Sequence, residues 1–102
     1  MYDVVIEATA VSDLRGILRY ISETLKEPET ARRVYLSIKD KIMTLNHFPT
    51  RQPLVNDETY ANRGLRMLPA ENYVAFCIVD EANEKVHVLR VLYKRREWHS
   101  LL

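Results

Sequence analysis

The chain has 102 residues, 47% hydrophobic and 28% charged, with two Gly, four Pro, one Cys and a formal net charge of +1. That composition suits one domain over residues 1–102 and excludes a disordered tail, a collagen and a disulfide scaffold. No apolar run approaches the roughly 20 residues of a membrane span, no secretory signal follows Met1, and the lone Cys77 fits a reducing compartment, so a cytoplasmic location is expected.

Tyr2–Glu7 is rich in β-branched residues and reads as a strand. Thr9 and Ser12-Asp13 are good helix starters. Leu14, Ile17, Leu18, Ile21 and Leu25 then form one apolar stripe on a helix of roughly four turns. Pro28 opens a second helix, with Ala31, Val34, Tyr35, Ile38, Ile42 and Leu45 as its stripe, ending near Asn46. The short connection between them predicts an antiparallel helical hairpin. Residues 49–62 carry two prolines and no period, and read as a loop. Strands are expected over 63–68, 72–79 and 85–94, joined by turns short enough for hairpins. The predicted class is α+β, in the order β-α-α-β-β-β. The helical hairpin should pack on one face of a four-stranded, mostly antiparallel sheet.

Two layers leave one sheet face without a helix. Strict alternation along the last strand puts Val86, Val88, Arg90, Leu92 and Lys94 on one face and His87, Leu89, Val91 and Tyr93 on the other. Arg66, Arg90 and Lys94 are then expected on the open face among apolar neighbours, a mixture that suits a partner. The alternative is an edge arginine whose stem packs while its head reaches water.

Charge is unevenly placed. Residues 1–50 hold seven basic and seven acidic groups, whereas Arg90, Lys94, Arg95 and Arg96 face only Glu97 near the C-terminus. No metal-ligand spacing, Gly-rich phosphate loop or nucleophile elbow is present, so no metal or cofactor is expected. His47 and His87 read as structural. The densest chemical candidate runs from Arg90 through Tyr93, Lys94, Arg95, Arg96 and Trp98 to His99. Arg and Lys hold phosphates, aromatics stack on bases, and His or Tyr can move a proton in attack by a 2′-hydroxyl. For Trp98, Leu101 and Leu102 the better reading is packing onto the core.

Several stretches together resemble the RelE/ParE superfamily, toxins of type II toxin–antitoxin (plasmid stabilisation) modules. They are Ala10-Val-Ser-Asp-Leu with Ile17…Tyr20-Ile21, Pro28-Glu-Thr-Ala31, Ile38…Ile42…Leu45…Pro49, Gly64-Leu-Arg66, Asn72-Tyr-Val-Ala-Phe76 and Val86–Arg96. The resemblance implies a growth-inhibiting toxin neutralised by a cognate antitoxin. RelE-like members are metal-independent endoribonucleases (mRNA interferases) that cut mRNA on the ribosome, whereas ParE-like members inhibit DNA gyrase and lack a nuclease site. For the nuclease the resemblance implies roles for Arg66 and Arg95; the residues themselves add Arg90 to the expected catalytic set, with His99 or Tyr93 to move the proton and Lys94 and Arg96 to bind RNA. Tyr73 stands where RelE-like toxins carry a strand arginine, and Gly64 replaces a basic residue. Ribosome-dependent cleavage is the leading expectation, gyrase inhibition the alternative, and a non-toxic remnant binding module the third reading. The antitoxin is expected on the open face, against Val86, Val88 and Leu92.

Overall fold

A computed structural model describes residues 1–102. It holds β1 (Asp3–Ile6), α1 (Ala8–Arg19), α2 (Pro28–Met43), α3 (Glu58–Asn62), β2 (Leu65–Ala70), β3 (Tyr73–Asp80) and β4 (Lys85–Tyr93). The strands form one sheet in the order β1-β4-β3-β2, with β1 parallel to β4 and the other pairs antiparallel. This is the expected architecture, with one addition: α3 and a turn at Pro49–Arg51 lie in the stretch read as a loop. Asp57 starts α3 by accepting the Tyr60 amide at 3.2 Å, and Gly64, with φ +84°, supplies the left-handed residue that ends it.

α1 begins at Ala8, next to Thr9 and ahead of Ser12-Asp13. Thr9 and Asp13 lie within the helix and bond to β4. β1 pairs with β4 only as far as Ile6 opposite Val88, so the next β4 backbone groups on that edge have no strand beside them. Thr9 Oγ1 donates to the Leu89 carbonyl at 2.7 Å, and Asp13 accepts the Val91 amide at 2.9 Å. Two side chains one helical turn apart thus finish the ladder that β1 leaves open.

The helical hairpin packs on one sheet face. Leu14, Ile17, Ile21, Val34, Ile38 and Ile42 meet Leu68, Ala75, Cys77, Val86, Val88 and Val91 in a continuous core. After Arg19 the helix widens into a π-turn over Tyr20–Thr24, closed by the Leu25 amide on the Tyr20 carbonyl at 3.1 Å. That wider turn keeps Ile21 buried but swings Leu25 off the stripe, leaving it 48% exposed. Cys77 lies in the core, where burial pushes its thiol pKa up to about 11 against a smaller opposing pull from Arg66.

The other sheet face is not bare. Val55, Leu65, Val74, Phe76 and Leu92 form a second buried cluster, roofed by Tyr60 and Ala61 of α3 and by Trp98, Leu101 and Leu102 of the C-terminal tail. Trp98 does pack inward: its ring centroid lies 5.1 Å from Phe76 and 5.2 Å from Tyr60.

Ile38 is fully buried, so Ile38→Ala should lower the unfolding free energy by about 2–5 kcal/mol, as read by urea denaturation. Cys77 should resist thiol reagents at neutral pH in the folded protein and react once the chain is unfolded.

Candidate functional site

One β-bulge decides where the candidate side chains go. Phe76 pairs with Arg90 and the adjacent Cys77 pairs with Val88, so Leu89 is the extra residue and alternation breaks there. Beyond the bulge the expected faces hold, with Val91 under the helices and Leu92 on the other face. Before it they are reversed. Val86 and Val88 are fully buried against the helical hairpin, which corrects their expected place on the open face. Leu92 does lie on that face, but the roof buries it to 3% exposure. None of the three is available to a partner in this arrangement.

Arg90 is held by two neighbours. Its Nε and Nη2 donate to the two oxygens of Asp13 at 2.8 and 2.9 Å, and its Nη1 donates to the Leu101 carbonyl at 3.1 Å. Asp13 also takes the Val91 amide, so one carboxylate binds a guanidinium and a strand edge together. The hydrogen bonds to Asp13 hold the guanidinium pKa above its ordinary value, outweighing the cost of burial.

Arg66 points elsewhere. It pairs across the ladder with Cys77, on the helix-covered face, and its Nη1 donates to the carbonyls of Thr50 and Gln52 at 3.0 and 2.7 Å. That corrects its expected place on the open face. Phe76 and Cys77 are successive residues and face opposite ways, so Arg66 and Arg90 lie on opposite faces, on strands separated by β3. Each guanidinium is already engaged by internal acceptors. The two do not flank a common phosphodiester position.

His99 sits in the tail between carboxylates. Its Nδ1 contacts Glu97 Oε1, and its Nε2 lies 3.3 Å from Asp57 Oδ2. Its ring stacks on Trp98 at 3.9 Å between centroids, and its carbonyl accepts the Tyr60 hydroxyl at 2.8 Å. The His99 amide, then its ring, hold the Glu97 carboxyl below the usual carboxylate range. These contacts tie the tail to α3. Lys94, Arg95 and Arg96, by contrast, are exposed and form no ion pair.

Tyr93 leads to the main concavity. A groove of about 820 Å³ runs between the helical hairpin and the ends of β3 and β4. Ile17, Ile21 and Val34 line it, Tyr20, Tyr73, Tyr93 and Leu25 stand around it, and Arg33 and Arg96 flank it. The rings of Tyr73 and Tyr93 meet edge to face at 5.9 Å. Burial first, then the neighbouring Tyr20 and Tyr93, raise the Tyr73 pKa above its ordinary value. Sequence reasoning missed this groove, because the signal depends on the π-turn that presents Tyr20 and Leu25.

The family model described as ParE toxin of type II toxin-antitoxin system, parDE, matches residues 4–98. The fold is similar to that in the chromosomal ParDE toxin–antitoxin system of P. aeruginosa, with TM-score 0.75, 21% identity, and coverage of 91% of this chain and 96% of that one. A RelBE toxin–antitoxin complex from Mycobacterium tuberculosis gives TM-score 0.65 at 21% identity, covering 90% of this chain and 96% of that one. The archaeal RelE–RelB complex from Pyrococcus horikoshii gives 0.52 at 16% identity, covering 94% and 98%. No curated protein sequence matches.

The Asp13–Arg90 pair is largely buried, with side-chain exposures of 20% for Arg90 and 14% for Asp13. Asp13→Ala should therefore destabilise the fold by about 3–5 kcal/mol, because it strands a guanidinium and an edge amide. Adding Arg90→Met should recover part of that loss in a double-mutant cycle; simple additivity would show that the pair is not coupled.

Proposed function

We propose, because this chain belongs to the ParE toxin family of type II toxin–antitoxin systems, that it arrests growth by binding a protein target, DNA gyrase, rather than by cutting RNA. The observation that carries this reading is the separation of Arg66 and Arg90 on opposite sheet faces, each satisfied internally. Cleavage of a phosphodiester needs donors preorganised around one developing charge. Here two of the candidate cations are engaged in holding the fold. His99 is tied to Glu97, Asp57 and Trp98. The net charge of +1 also gives little general attraction for an RNA-rich surface. The exposed Lys94-Arg95-Arg96 turn is the one feature that favours the ribosome-dependent nuclease reading.

The P. aeruginosa, M. tuberculosis and P. horikoshii matches are toxin–antitoxin systems or complexes, which supports a cognate antitoxin for this chain. We place that partner in the groove rather than on Val86 and Val88. The groove exposes Tyr20, Leu25 and Tyr93 at 53%, 48% and 47%, apolar surface that an amphipathic antitoxin segment would cover.

Supercoiling by purified gyrase should fall when the free chain is added and recover when antitoxin follows. Arg95→Ala should leave growth arrest intact. Undisturbed supercoiling, together with arrest abolished by Arg95→Ala, would favour the nuclease reading. Leu25→Asp should weaken the antitoxin complex by tenfold or more, on the order of a hot-spot loss, while the fold is kept.

A further inference from the structure

Phe48 breaks two local rules at once. It is 75% exposed, and its backbone is left-handed at φ 44°, ψ 54°. A bulky L-residue is strained there, and the following Pro49 further disfavours α-type conformations at the residue before it. Asn or Gly would suit the backbone, and a polar side chain would suit the exposure. The conformation persists because both sides are fixed. Leu45 and Pro49 are sunk in the interior, the Tyr2 amide binds the Asn46 carbonyl at 3.0 Å, and Arg66 grips the carbonyls of Thr50 and Gln52. A rigid frame thus displays an aromatic ring that nothing in the chain uses, and such retained strain clusters at functional sites.

The surroundings specify the partner's chemistry. Met43, 46% exposed, closes α2 shortly before this turn and is a second exposed, flexible apolar side chain. His47 beside Phe48 and Arg51 in the same turn are exposed, as is Lys41 near the end of α2, and none of the three forms an ion pair. No Asp or Glu occurs from Lys41 to Asn56. An exposed aromatic knob three residues from an unpaired arginine fits an apolar pocket bordered by carboxylates.

We propose that Phe48 is the anchor by which this chain grips its target, inserting its ring into an apolar pocket on an acidic protein surface. This rests on the protein-target reading above and assigns the contact to the Leu45–Arg51 turn, distinct from the antitoxin groove.

The test compares the free chain with Phe48→Asn, which suits the left-handed backbone, and with Arg51→Glu, which reverses the charge at that arginine. Gyrase supercoiling, growth arrest, antitoxin affinity, oligomeric state and Tm are the readouts. Phe48→Asn should require roughly 10–30-fold more protein for half-inhibition, the scale of a hot-spot aromatic. Its Tm should equal or exceed that of the wild type, and its antitoxin affinity should not change. Arg51→Glu should weaken inhibition in the same direction, most strongly at low salt. Undiminished inhibition by Phe48→Asn overturns the proposal. So does a loss of antitoxin affinity, or a wild-type dimer that the variant abolishes, since the occupant would then be the antitoxin or a second copy. If the wild type leaves supercoiling untouched, the gyrase reading fails by itself. The anchor is then judged on growth arrest, which Phe48→Asn should abolish if the target is another protein. Persistent arrest overturns it, and a wild type that causes no arrest overturns both readings.

Discussion

The carboxylate of Asp13 holds the architecture together at its weakest place. β1 is short and leaves the outer edge of the second half of β4 without a strand, β3 pairing only its inner edge. An open ladder there would expose unpaired amides and invite another chain. Asp13 accepts the Val91 amide and two of the donors of Arg90, while the Thr9 hydroxyl donates to the Leu89 carbonyl on the turn before. α1 therefore serves as the edge strand that β4 lacks. Through its third donor Arg90 reaches the Leu101 carbonyl, so the same contact fixes the end of the tail. Helix, sheet edge and tail meet at one ion pair.

That arrangement is why the sheet has two covered faces rather than one. The tail, held at Leu101 and at His99, lays Trp98 and the terminal leucines over Phe76 and Leu92. α3 completes the roof from the other side. A face that two layers would leave open becomes a second, smaller core, and the exposed apolar surface moves to the groove beside the π-turn and to the turn at Phe48. The exposed apolar surface of this chain therefore lies where regular structure is interrupted.

Much of this was legible in the residues. The stripes of Leu14–Ile21 and Ala31–Ile42 identify the helices, and the apolar run at 74–79 marks a strand buried on both faces, because burial and period are properties of the chain itself. The inward packing of Trp98 followed from its apolar bulk beside terminal leucines. The bulge at Leu89 was not legible. It is a relation between two strands, and alternation counted along one strand carries no sign of it. One inserted residue reverses every assignment before it, which is why Val86 and Val88 were expected outside and lie inside. Arg66 was misplaced for a related reason: nothing in its own strand says which face meets the helices. Asp13 was read as a helix starter because its use depends on an arginine 77 residues away.

Arg66 and Arg90 thus lie on opposite faces of the sheet and share no site. Arg66 braces the turn under Phe48, Arg90 closes the sheet edge, and His99 fastens the tail. An interface needs only surfaces presented on a rigid frame, and those side chains supply the frame. The most direct measurement is primer extension on mRNA in programmed ribosomes incubated with the purified, antitoxin-free chain. Intact mRNA at concentrations that arrest growth is the predicted result. Discrete toxin-dependent breaks at the decoding position, lost in Arg66→Ala or Arg90→Ala variants that still fold, would contradict the account.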